Sequence, residues 1–145
     1  MTEVRKTPRH LWAVGVVSLL WNAFGAFDYV MTKLRDPGYM AAFTPEQQQY
    51  FYSFPLWANV GWALGVWGSV LGSILLLMRS RHAVTAFLLS LAGLALSIIY
   101  QFGMHYGDLE RMFGMFPMVF TAVIVVIVIA LYLYARRQAA AGVLR

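Results

Sequence analysis

The chain has 145 residues, of which 61% are hydrophobic, 16% aromatic and 12% charged. That is about half the charge of an ordinary soluble domain, so lipid has to solvate most of its surface. The absence of cysteine excludes disulfides, thiolate metal sites and cysteine nucleophiles. The net charge of +5 does not imply nucleic acid, because each basic run is short and abuts an apolar segment, as topology signals do.

Crossing the hydrocarbon takes roughly 20 mostly apolar residues, and segments 11–32, 55–78, 83–104 and 117–134 come close to that length. The first follows Arg5, Lys6 and Arg9 as a signal peptide would. It runs past signal-peptide length and offers no A-x-A-like cleavage site before Asp28, so it reads as a retained anchor. With the N-terminus inside, the cytoplasmic cations are Arg5, Lys6, Arg9, Arg79, Arg81, Arg136, Arg137 and Arg145, against Lys33, Arg35 and Arg111 outside. This bias places both termini on the cytoplasmic side. The acids agree: Asp28, Asp36, Glu46, Asp108 and Glu110 fall at or beyond outer helix ends, and Glu3 alone lies inside.

The expected fold is therefore all-α. Residues 1–145 form one integral membrane domain, a four-transmembrane-helix bundle with N-in/C-in topology, multi-pass in the inner (plasma) membrane. In the first outer loop, Asp36-Pro37 and Thr44-Pro45 each pair a capping residue with a proline, and Gln47 completes a capping box with Thr44. This predicts two short amphipathic helices. The second, 45–54, carries Tyr50, Phe51, Tyr52 and Phe54, suits the headgroup layer and is expected to lie across the bundle mouth. The connection Arg79-Ser-Arg-His82 is a tight hairpin, so spans two and three should be antiparallel neighbours. The second outer loop, 107–116, has room for one helical turn from Asp108.

A weak repeat relates Ser18-Leu-Leu-Trp-Asn22 to Ser97-Ile-Ile-Tyr-Gln101, and Phe54-Pro55 to Phe116-Pro117. Each half would hold two spans, so the halves would be parallel rather than inverted.

At about 100° per residue the polar positions gather on one face of three spans. Span one aligns Ser18, Trp21, Asn22, Gly25, Asp28, Tyr29 and Thr32 opposite Leu20, Phe24 and Phe27. Span two aligns Ala58, Gly61, Trp62, Gly65, Ser69, Gly72 and Ser73. Its Gly61-x-x-x-Gly65 and Gly68-x-x-x-Gly72 are small-residue patterns for close helix packing, within the bundle or in a homodimer. Span three aligns Ser90, Gly93, Ser97, Tyr100, Gln101 and Met104. Span four offers only Thr121.

Asn22, Asp28, Tyr29, Asn59, Trp62, Tyr100, Gln101 and His105 all lie in the outer halves of their spans, with Trp21 beside them. Polar groups are costly in a membrane, so an inward cluster is a site hypothesis: an aromatic-walled pocket for a small polar ligand, open to the outside. Structural roles stand beside it. Asp28 could pair with Lys33 or Arg35, or cap the first outer helix. Asn22 and Gln101 could be interhelical hydrogen-bond glue. Trp12, Trp57 and Tyr132 read as interface anchors. His10 and His82 lie at the other side from His105, which disfavours a bis-histidine haem or a histidine metal site within one chain. No phosphate loop, HExxH motif, nucleophile elbow or carboxylate pair appears, so no catalytic residue, metal or cofactor is assigned.

The runs Leu20-Trp-Asn-Ala-Phe-Gly-Ala-Phe-Asp-Tyr29, Phe51-Tyr-Ser-Phe-Pro-Leu-Trp57 and Gly65-Val-Trp-Gly-Ser-Val-Leu-Gly-Ser73 resemble a family of small four-helix bacterial membrane proteins. Its members are often labelled sugar transporters. The likeness covers the first three spans and extends to the fourth only by hydropathy. It implies a transporter or outward-facing binder of a small polar solute such as a sugar, and carries over no site residues. A structural or accessory subunit whose polar stripe seats a partner helix is the rival, and a membrane-bound redox enzyme, which would need a cofactor, is a third class.

Overall fold

A computed structural model describes residues 7–145. Glu3, Arg5 and Lys6 of the charge count lie outside the described residues. The described chain is helical, with no strand: α1 (Arg9–Lys33), α2 (Pro37–Met40), α3 (Pro45–Tyr52), α4 (Leu56–Leu77), α5 (His82–Ile98), a π-helix (Ile99–Met104), α6 (Tyr106–Phe113) and α7 (Phe116–Ala140). Four helices are long and apolar enough to cross a membrane: α1, α4, α5 with its π-helical extension, and α7.

The ends of these helices have local causes. Asp36 accepts from the Tyr39 amide at 2.9 Å and starts α2, while Thr44 and Gln47 form a reciprocal capping box at the start of α3. The fourth long helix continues to Ala140 instead of stopping at Tyr134. The apolar run marks where lipid contact ends, but Ala135-Arg-Arg-Gln-Ala-Ala140 is a string of strong helix formers and carries the helix onward. Gly142, at φ 79°, then ends it, with the Val143 amide donating back to the Gln138 carbonyl at 3.0 Å. The six residues from Ile99 to Met104 form a wider π-helical turn. Uniform 100° spacing puts Met104 on the inward face; the wider turn shifts that phase and leaves Met104 62% exposed. The one turn expected from Asp108 is a full eight-residue helix, α6.

Helices α4 and α5 are the closest pair, α1 packs on α4, and α7 packs on α5. Gly61, Gly65, Gly68 and Gly72 of α4 all face α5 of the same chain, meeting Leu96, Leu94, Ser90 and Phe87. The glycine face offered by the sequence for a homodimer is thus occupied inside the protomer. Packing concentrates at the two ends. One cluster joins Leu11, Leu76, Phe87, Leu131, Val143 and Leu144 where α1 begins, α4 meets α5 and α7 ends. The other joins Tyr50, Phe54, Ala58, Tyr100 and Leu109 at the end that carries α2, α3 and α6. Between them the interior is made of small and polar residues.

Candidate functional site

The deepest of the candidate residues is Asn22. Its amide nitrogen donates to the Ser69 carbonyl at 3.1 Å and to Ser73 Oγ at 2.9 Å, and Ser73 Oγ in turn meets Ser18 Oγ at 2.8 Å. All four side chains are buried. Both amide hydrogens are therefore used between α1 and α4, as interhelical hydrogen-bond glue. Ser90 Oγ does the same between α5 and α4, donating to the Gly65 carbonyl at 2.7 Å.

Asp28 takes neither of the structural roles foreseen for it. The cap of α2 is Asp36, and Lys33 and Arg35 point elsewhere. The Asp28 carboxylate instead accepts a hydrogen bond from the Tyr39 hydroxyl. No ion pair reaches Asp28 among the described residues. Tyr39 lies in the loop segment, and its pKa is raised by burial first, then by the hydrogen bond to Asp28 and by that carboxylate's charge. The phenol therefore stays protonated and can donate.

The other candidates converge on an aromatic mouth at the α2/α3/α6 end. Tyr29 meets Trp62 edge-to-face at a centroid separation of 4.9 Å. Trp62 lies 5.9 Å from Phe54, Phe54 lies 4.8 Å from Tyr100, and Tyr100 lies 4.5 Å from His105. Trp57, expected as an interface anchor, sets its ring against Tyr100 at 5.5 Å. Aromatic pairs at these separations and tilts attract through their quadrupoles beyond their area burial. Asn59 donates from its amide nitrogen to the Phe54 carbonyl at 3.0 Å, which aims its own carbonyl at the Lys33 ammonium, and the two are hydrogen-bonded. That ammonium lies 5.2 Å from the centroid of Trp62 and 5.9 Å from that of Tyr29.

Helices α3 and α6 roof this mouth. Gln47 donates to the Met112 carbonyl at 2.9 Å, and Glu46 pairs with Arg111 at 2.6 Å. Between them Tyr50 is buried against Tyr100, His105 and Phe113, and its hydroxyl is enclosed without a hydrogen-bond partner among the described residues. Burial, then the charges of Tyr100 and Asp108, raise the Tyr50 pKa. His105 lies 3.8 Å from Asp108.

The structure thus brings Tyr29, Asn59, Trp62, Tyr100 and His105 together and separates Asn22 and Trp21 from them. Trp21 packs 6.2 Å from Phe120 of α7. Gln101 occupies the π-helical turn, half-buried, beside Tyr100. Two shallow apolar grooves, of about 480 and 390 Å³, run along α7 and along α4–α5, and neither includes any of the nine polar and aromatic candidates. Sequence reasoning put Lys33 on this side and laid the helix carrying Tyr50 across the mouth, but it named neither of them, nor Tyr39, as part of the site. The signal for Lys33 was present: it sits four residues after Tyr29, on the same helix face. Tyr39 and Tyr50 come from loop helices whose docking no spacing rule supplies. Comparison of the chain with protein-family models, curated proteins and solved structures returns no match.

Proposed function

We propose that the protein is a four-span membrane protein, with both termini cytoplasmic, that binds a small polar solute at the outer aromatic mouth and passes it across as a transporter or holds it as a binder. The observation that carries this reading is the convergence of Tyr29, Trp62, Phe54 and Tyr100 from three spans and a loop, with Asn59 and Lys33 supplying polar contacts. Ring faces take the C–H surface of a sugar-like solute and amides take its hydroxyls, in keeping with the sugar class implied by the family resemblance. The named Lys and Arg residues divide eight to three between the two sides, which supports the orientation in a bacterial inner membrane. The rival accessory-subunit reading depended on a free polar stripe, and Ser18, Asn22, Ser69 and Ser73 use that stripe between α1 and α4.

The test is solute binding and uptake by the full chain in proteoliposomes across a panel of sugars and other small polar solutes. The reading holds if at least one solute binds and Trp62→Leu weakens it about tenfold or more, the loss expected from an aromatic contact of about 1.5 kcal/mol. It fails if no solute binds, or if binding ignores Trp62→Leu and Tyr100→Leu alike. Orientation is checked separately by single cysteines at Ser53 and Ser80, introduced into a chain that has none of its own. Impermeant thiol reagent applied outside should label the first alone.

A further inference from the structure

The Lys33 side chain is exposed, yet its ammonium is held by two rings and an amide rather than left to water. Tyr29 and Trp62 come from different spans and stand edge-to-face, so each ring turns attractive π-density toward the same point. Asn59 adds a carbonyl whose direction is fixed, because the other end of its amide is tied to the Phe54 carbonyl. Tyr29 also meets Trp67 at 6.1 Å, and Trp67 continues the aromatic wall further along α4. Two aromatic faces, one oriented carbonyl and an apolar extension are the parts that recognise an organic ammonium group.

Two further facts fit a site whose occupant exchanges. Lys33 is the last residue of α1 and carries a long flexible stem, so its head can leave the box without moving the helix. No carboxylate pairs with it among the described residues, so no ion pair has to break when it leaves. One turn and a half earlier on the same helix, Asp28 offers a carboxylate without a cation.

Resting on the reading that this mouth binds a small solute, we propose that the solute carries an organic ammonium group, that this group sits in the Tyr29–Trp62 box against the Asn59 carbonyl, and that Lys33 is a tethered competitor for the box. Lys33 then acts as a plug that sets the solute's apparent affinity. The ligand class is small primary, secondary or quaternary ammonium compounds with a short apolar or hydroxylated body, amino sugars among them. Neutral sugars lack the group the box is built around.

The experiment is equilibrium binding of radiolabelled choline, with glucose as the neutral counterpart, to the full chain in lipid nanodiscs. Lys33→Met keeps the stem and removes the charge. It is expected to bind choline about threefold more tightly than the unaltered chain, the size of one cation–π contact at an exposed site. Adding Trp62→Leu should abolish the gain, while Trp62→Phe, which keeps a ring, should recover part of it. The proposal is overturned if Lys33→Met leaves choline affinity unchanged, or if the gain survives Trp62→Leu in protein that retains its helical content. Glucose binding that depends on Trp62 without choline binding overturns the ammonium assignment and leaves the solute-binding reading standing. Binding of neither overturns the ammonium assignment, and the solute-binding reading falls with it only if the whole solute panel also fails to bind.

Discussion

A Cβ atom placed on Gly93 would lie 2.5 Å from the carbonyl oxygen of Gly61 and 2.5 Å from the amide nitrogen of Gly65, so α4 and α5 touch backbone to backbone. Main-chain atoms cannot rotate out of the way as a side-chain tip can. Gly93→Ala is therefore expected to force the two helices apart and cost about 2 kcal/mol, within the usual range for overpacking. Gly107, in α6, has nothing within 4 Å of the same position. There the added methyl should stabilise by about 0.5–1 kcal/mol, because alanine loses less backbone entropy in a helix. Detergent-induced unfolding followed by circular dichroism measures both. Equal effects at the two positions would contradict the close approach.

The Asn22 network makes a similar separation possible for polar groups. Asn22→Ala and Ser73→Ala remove partners of one another, so their effects should be non-additive, with a coupling of about 0.5–1 kcal/mol. The double-mutant cycle is read by the same unfolding assay. Since both amide hydrogens are used between helices, Asn22→Ala should also leave solute affinity within about twofold once stability is matched. A larger loss of affinity with additive stability effects would move Asn22 from the scaffold to the site.

Tyr50 gives an outcome with the opposite sign. Its enclosed hydroxyl lacks a partner among the described residues, and removing a buried unpaired polar group is worth about 1 kcal/mol. Tyr50→Phe should raise the unfolding midpoint accordingly. The pH dependence follows from its raised pKa. The folded chain holds this proton above about pH 10, where the unfolded tyrosine releases it. Stability from Tyr50 is thus complete below about pH 10 and falls as the pH rises beyond it. Tyr50→Phe should flatten that alkaline decline and leave the part due to Tyr39, whose pKa is raised too. A destabilised Tyr50→Phe would show instead that the hydroxyl is hydrogen-bonded.

Much of this arrangement could be read from the chain, and the limits have physical reasons. Long apolar runs and a 100° period locate spans and faces, which is why Ser18, Asn22, Ser69 and Ser73 fall on facing sides as expected. Periodicity assumes a uniform helix, and the π-helical turn at Ile99–Met104 breaks it, so Met104 turns outward. Composition finds polar residues in a span but cannot tell a satisfied one from a free one. Asn22 and Asp28 look alike in sequence; two serines of α4 absorb the first, while the second waits on Tyr39 from a loop. Partners separated by a turn or a loop, such as Lys33 with Asn59, depend on how the ends dock and leave no local pattern.

The last three residues illustrate the point, because charge and hydropathy mark them only as the end of a basic tail. In the structure Val143 and Leu144 are buried against Leu11, Leu76 and Phe87. Arg145 exchanges two backbone hydrogen bonds with the α4–α5 turn, its amide donating to the Arg79 carbonyl at 2.9 Å and its carbonyl accepting from the Arg81 amide at 3.0 Å. At the water-facing end of the bundle the hydrophobic effect acts in full, so Leu144→Ala should cost about 2–3 kcal/mol. Leu133 is the same residue type only eleven positions earlier, but it is 54% exposed on the apolar face of α7. Lipid tails are as apolar as leucine, so truncating a side chain there removes little packing and no hydrophobic burial. Leu133→Ala should change stability by less than about 1 kcal/mol. The comparison is made on the full chain by unfolding in mixed micelles, with proteolytic release of the C-terminal segment as a second readout. If Leu144→Ala were no more costly than Leu133→Ala, and the tail no more protease-sensitive, the tail would not be docked against the hairpin.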